Sequence, residues 1–325
     1  MELDIVGVGF CCLDILLRVE KIPRPEEGTR VLETSRQGGG MVATAMVAAA
    51  RLGARCGFVG WCGDDAVGRE LLAEFARYGV DTSAFVVRRG ATSNLCYVLV
   101  DSRTAERSFV GHHGTAAPLQ PGDLSPDYII AGRIVHLGDE GPTEQAAARW
   151  ARQAGRLVAF DGTSWHGEAS LAFLPLVHVH IVSRFYAAGF AEALGLPLPQ
   201  TPERALELAR RLRGLGPDEV IITLAEQGCV AVGPEGERHV PAFSIEAVDT
   251  TGAGDVFHGA YLYALLQGWP AERRLSFASA AAALKCRRLG GRAGIPTRHE
   301  LEAFLAAQTL PPSHVASTCR YEDRP

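Results

Sequence analysis

Hydrophobic positions along this chain recur with two different periods. Short β-branched runs bounded by glycine or charge occupy residues 4–9, 55–59, 134–137, 157–160, 178–182 and 219–223. Such runs read as buried strands. Between them, apolar residues recur at helical spacing over 41–52, 66–78, 143–153 and 203–213, and two further helices, 254–266 and 272–286, follow almost consecutively. Strand and helix alternate, which predicts an α/β domain with a mostly parallel sheet covered by helices.

Two stretches interrupt the alternation. Residues 10–38 and 84–115 lack helix signals and carry strand-like pieces, among them 92–100 and 107–110 with a turn-like 102–105 between them. They are expected to pair as a small β-sheet lid over one end of a main domain formed by 1–9, 39–83 and 116–310. The edges of such a lid need covering, so a homodimer paired through the lids is expected. Residues 311–325 have two prolines, mixed charge and no periodicity, and read as a C-terminal tail.

Composition narrows the class without naming a function. The 325 residues are 47% hydrophobic and 21% charged, which describes a globule with a sizeable core. The net charge of −5 argues against general nucleic-acid binding. The start Met1-Glu2-Leu3-Asp4 lacks the basic and apolar regions of a signal peptide, and no apolar run is long enough for a membrane span, so a cytoplasmic location is expected. The 8 cysteines include no CxxC pair and no zinc-finger spacing, and are assigned no chemistry.

The most informative motif is residues 249–257, Asp-Thr-Thr-Gly-Ala-Gly-Asp-Val-Phe, at the start of a predicted helix. Unpaired N–H groups at a helix start suit an anion, and glycines let that backbone approach it. Asp255 places a carboxylate beside this cradle. Simple phosphate storage would gain nothing from that repulsion, whereas a carboxylate that deprotonates a hydroxyl attacking a phosphate explains it. Taken alone, Gly-x-Gly-Asp also reads as a helix cap. Weaker signals are Gly38-Gly39-Gly40 before an Ala-rich helix and Gly290-Gly291-Arg292-Ala293-Gly294-Ile295-Pro296 after another. Gly7-Val8-Gly9 imitates a dinucleotide fingerprint but lacks its third glycine and its helix, and no Walker A sequence occurs. His178 and His180 share a strand face as zinc ligands can, but no third ligand is placed, so a packed strand is the better reading.

In this order, Gly38–Gly40, Gly60–Gly68, Asp249–Gly259 and Gly290–Pro296 resemble the ribokinase-like (PfkB) carbohydrate kinases over roughly residues 4–306. The resemblance implies a three-layer α/β/α domain of nine or so strands with a β lid over the sugar. It implies ATP and Mg2+ as cofactors. Asp255 would be the general base, and the backbone of Gly252, Ala253 and Gly254 the anion hole. Asp14, Gly39, Gly40 and Thr44 would line the sugar, with His113 reaching it from the lid. Thr223 and Gly228 would border the nucleotide. Asp249 and the 286–291 loop would frame a monovalent-cation site, for K+.

Two departures stand out. Thr44 replaces the family's usual Asn, and the segment Ser183-Arg184-Phe185-Tyr186-Ala187 lacks the acid of the usual Asn-x-x-Glu that helps order Mg2+. The wording is closest to the sulfofructose kinases, yet their three sulfonate contacts fall on Thr29, Gly111 and Asp139. A buried sulfonate without partners is costly, so a neutral ketose or pentose is the expected acceptor. Arg30 and Arg107 keep an anionic sugar in play. The alternatives are a nucleoside kinase, a sulfo- or phospho-sugar kinase, and a non-catalytic sugar- or nucleotide-sensing protein.

Overall fold

The computed structural model describes residues 2–162 and 165–309. The predicted tail at 311–325 lies outside the described residues. In chain order the strands are β1 (Leu3–Val8), β2 (Cys12–Val19), β3 (Val31–Gly39), β4 (Cys56–Val59), β5 (Trp61–Gly63), β6 (Val86–Arg88), β7 (Leu95–Asp101), β8 (Arg107–His112), β9 (Gly132–Leu137), β10 (Leu157–Gly162), β11 (Val179–Ser183), β12 (Glu219–Thr223), β13 (Cys229–Gly233) and β14 (Gly236–Val240). The helices are α1 (Met41–Leu52), α2 (Ala66–Arg77), α3 (Pro126–Ala131), α4 (Pro142–Gln153), α5 (Glu168–Phe173), α6 (Arg184–Ala193), α7 (Pro202–Arg213), α8 (Ala253–Leu266), α9 (Ala271–Lys285) and α10 (Arg298–Thr309).

The main sheet has eight strands, not about nine, in the order β14-β13-β12-β11-β10-β9-β1-β4. From β12 to β4 every pairing is parallel, and β13 and β14 add an antiparallel edge. Strands such as β1, Leu-Asp-Ile-Val-Gly-Val, are apolar on both faces because both are covered. One face packs on α1, α8 and α9, with Ile5, Ile181, Tyr261 and Phe277 in its core. The other packs on α4, α6 and α7, with Val6, Phe160, Phe190 and Leu208. Helices, sheet and helices make the three layers expected.

The lid is a four-stranded sheet, β3-β2-β7-β8, in which β2 and β7 run parallel. The two irregular stretches therefore do meet as a sheet, although β6, inside the second of them, pairs with β5 outside the lid. The β13–β14 hairpin and helices α3, α5, α6 and α10 are additions to the predicted elements. The hairpin strands, α3 and α5 are of five or six residues, which carry too little periodicity to register. None of the described helices is long and apolar enough to cross a membrane.

Packing of α8 on α1 sets the depth of the site. A Cβ on Gly259 would collide with the backbone carbonyl of Ala45, so only glycine lets the helix axes come this close.

Candidate active site

Three loops far apart in sequence meet at the start of α8. Gly252 caps the helix with φ +74°, a left-handed conformation that glycine adopts without strain. A Cβ there would press on Gly291, so the loop before α8 lies directly against the loop after α9. Gln37, at the end of β3, ties in the third segment. Its Oε1 accepts from the N–H groups of Arg292 (2.6 Å) and Ala293 (2.9 Å).

Of the backbone groups expected to cradle an anion, the Ala253 N–H donates to the Thr250 carbonyl at 3.2 Å. Those of Gly252 and Gly254 donate to no other protein group among the described residues. They stand at the positive end of a 14-residue helix. Asp255 is in the first turn and partly exposed. Loss of hydration pushes its carboxyl above the usual range, opposed by the positive charges of Lys285, Arg292 and Arg107.

Asp14 comes to this place from the lid strand β2. It is 8% exposed, and a Cβ on Gly39 would collide with its carboxylate. Burial pushes Asp14 up to about 6; Cys12 and Arg292 pull it down, and the negative charge of Asp255 adds to the rise. The two carboxylates are thus close enough to feel one another. Gly40 caps α1 at φ +95°, packed on the Phe10 carbonyl.

The other expected residues lie as follows. Thr44 is 1% exposed, and its hydroxyl accepts from Arg292 Nε at 3.3 Å. Rather than facing open space, it orients an arginine. His113 is exposed and makes no hydrogen bond among the described residues, as hairpin-end side chains commonly do. Thr223 ends β12, where its hydroxyl reaches the Val182 carbonyl at 3.5 Å. Gly228 makes the left-handed turn into β13.

Asp249 is fully buried and its carboxylate is already engaged. One oxygen accepts from the Thr251 N–H (2.8 Å) and hydroxyl (2.7 Å), the other from the Gly290 N–H (2.7 Å). The Asp249 carbonyl accepts from Lys285 Nζ at 2.8 Å. Lys285 is itself 0% exposed, and burial lowers its pKa against the pull of Asp249. The Lys285 ammonium thus lies against the residue expected to frame a monovalent-cation site.

Arg292 is the largest contribution that the sequence did not announce. Its guanidinium is buried, pairs with Glu74 at 3.2 Å, donates to the Gly39 carbonyl at 3.2 Å and lies over Phe75. Glu74 also accepts from the Gly38 N–H. The only available sign was an arginine inside a glycine-rich turn. Arg107 was weighed only as a possible sugar contact. It reaches from β8 of the lid to the Thr250 hydroxyl, joining lid to helix start.

The chain matches the pfkB family carbohydrate kinase over residues 2–298. It is 32% identical to an aminoimidazole riboside kinase of Salmonella typhimurium, over 84% of this chain and 89% of the relative. Its fold is similar to that of the Thermotoga maritima ribokinase (TM-score 0.78, 26% identity, 94% of this chain and 99% of that one). It also resembles the Arabidopsis thaliana ribokinase, solved with ribose and ATP (TM-score 0.78, 23% identity, 94% and 99%). Together with the glycine-lined start of α8, these matches show that the chain belongs to the pfkB family of carbohydrate kinases, phosphotransferases that act on an alcohol group.

Proposed function

We propose that this kinase transfers the γ-phosphoryl group of ATP to a primary hydroxyl of a small neutral sugar, a ketose or pentose. The observation that carries this reading is that the Asp14 carboxylate lies against Gly39 and feels the charge of Asp255 at the start of α8. Two interacting carboxylates accept hydrogen bonds from hydroxyls and repel an anionic sugar. Asp255 takes the proton of the attacking hydroxyl. That oxygen bonds to the γ-phosphorus as the bond to the bridging oxygen breaks, and ADP leaves with the electron pair. The N–H groups of Gly252 and Gly254, beside Ala253, stabilise the charge on the transferring group. A base held above its ordinary range is better matched to work near neutral pH.

Asp14 and the backbone of Gly39 and Gly40 hold the sugar, and Thr44 acts on it through Arg292. Thr223 and Gly228 border the nucleotide. Mg2+ bound with ATP would screen the phosphate charge. Asp139, exposed after β9 with Glu140 and His166 nearby, supplies oxygen donors of the right kind in place of the missing Asn-x-x-Glu acid. The Asp249 carboxylate already accepts three protein hydrogen bonds, and we assign the positive charge expected of K+ to Lys285 instead. Replacing K+ by tetramethylammonium should then leave activity unchanged. Lys285→Met should lose activity and recover part of it with K+ or NH4+. A wild-type enzyme that requires K+ would contradict this assignment.

Arg107 favours a second reading, an anionic acceptor held from the lid, although its contact with Thr250 places its charge beside Asp255 rather than beside Asp14. ADP release measured over ribose, fructose, adenosine and fructose 6-phosphate separates the readings. Turnover of a neutral sugar alone is expected. Turnover of the phosphate ester alone selects the second reading, turnover of adenosine alone a nucleoside kinase, and no ADP from any of them a non-catalytic binding protein. A homodimer formed through the lids completes the proposal.

A further inference from the structure

We propose that His136, Asp161 and His258 form a binding site for one divalent ion of the Zn2+ class, buried beneath the first turn of α8. His136 is on β9 and pairs with Ala159 of β10, so Asp161, two residues further on, lies on the same face of the sheet. His258 descends from α8, three residues after Asp255 and so on the same side of the helix, about one turn (~5 Å) deeper. The three side chains each offer one ligand atom, and these atoms lie within 4.8 Å of one another. His258 Nε2 is 3.3 Å from an Asp161 oxygen, and the two imidazole rings are 5.4 Å apart.

All three residues are more than nine-tenths buried. Yet both ring nitrogens of His136, Nδ1 of His258 and one oxygen of Asp161 have no hydrogen-bond partner among the described residues. Native interiors rarely leave such groups unpaired, and several converging on one point indicate an occupant. The donor set selects its class. Two imidazoles and one carboxylate make a three-ligand zinc site with an open fourth position. Mg2+ prefers oxygen donors throughout. His180 is excluded, because it stacks on Phe160 on the opposite face of the sheet.

The competing occupant is ordered water, which also satisfies buried polar groups. The full-length protein, freed of metal by chelation, is titrated with Co2+ and then Zn2+, without ATP or sugar. One equivalent of Co2+ with intense tetrahedral absorption is expected, displaced by Zn2+ and not by excess Mg2+. His136→Gln and His258→Asn, checked by circular dichroism for folding, should weaken binding beyond the ~10–100-fold typical of outer-shell changes. Asp255→Asn should keep the stoichiometry. Wild-type protein that binds no equivalent, or whose binding Mg2+ abolishes, overturns the site and assigns the space to water. Because no turnover is measured, this outcome is independent of the kinase assignment.

Discussion

The main sheet and the lid sheet are built from the same kind of strand and do opposite work. In the main domain, β1 and β9 to β13 are covered on both sides, and their side chains are almost all buried. In the lid, β8 is exposed at nearly every position, and only Leu16, Val98 and Val100 with Leu289 form a small core. The packed part carries the proposed reacting groups, Asp255 and the amides before it. The lid contributes Asp14 and the latch Arg107. Chemistry that tolerates little displacement belongs on the packed element, and groups that must admit a ligand belong on the marginal one.

If that division holds, changes in the main domain should show in rate and changes in the lid should show in binding. Asp255→Asn should fold normally and lose ~10²–10⁴-fold in kcat with little change in sugar affinity. A fully active variant would dissolve the contrast at its strongest point. Arg292→Met tests whether the packed part also supports the lid. It removes the partner of buried Glu74 and the contact to Gly39, and should destabilise by about 3–5 kcal/mol in urea unfolding.

Much of this division was legible in the chain. Helix α1 was expected with its observed limits, because Met41–Leu52 is bounded by glycines and periodic throughout. Asp255 was legible because glycine, a helix start and an acid coincide within a few residues. Lys285, Arg292 and the histidine cluster were not, because their meaning comes from contacts across the fold. Lys285 matters through Asp249, 36 residues earlier, and Arg292 through Glu74, 218 residues earlier. His136, Asp161 and His258 sit in three apolar elements where each reads as an isolated polar interruption. The contact of Thr44 was hidden for the same reason, since nothing local shows that an arginine donates to its hydroxyl.

The lid has its own measurable signature in pH. The Asp14 carboxyl is raised from 3.8 to about 6, so the folded state binds its proton more tightly than the unfolded state does. Stability from this group is present below pH 3.8 and is lost as pH rises through about 6. A shift of about two units corresponds to about 3 kcal/mol at ~1.4 kcal/mol per unit. Asp14→Asn does not titrate. It should be more stable than wild type at pH 8, by up to that amount, with the difference closing towards pH 4. Its affinity for sugar should fall while kcat at saturation changes less. Equal stability at both pH values would show that Asp14 carries no strain and that the lid is not the binding half.

The smallest effect concerns what covers the lid. Tyr97 and Val110 are cross-strand partners on one face, 39% and 57% exposed, and Val31 and Leu32 of β3 are 44% and 42% exposed. An apolar face beside two open strand edges is an unusual surface for a monomer. A second copy of the same lid would cover both copies at once. Light scattering should then give about twice the chain mass of 34.7 kDa. Val110→Ser gives up part of the ~1.5–3 kcal/mol that fully burying a valine provides. It should therefore raise the dimer dissociation constant by roughly tenfold, since ~1.4 kcal/mol is a factor of ten. Asp255 lies outside this face, so kcat at saturating sugar should hold while the apparent KM becomes dependent on protein concentration. A wild-type monomer at tens of micromolar, with Val110→Ser indistinguishable from it, would mean that the lid closes without a partner.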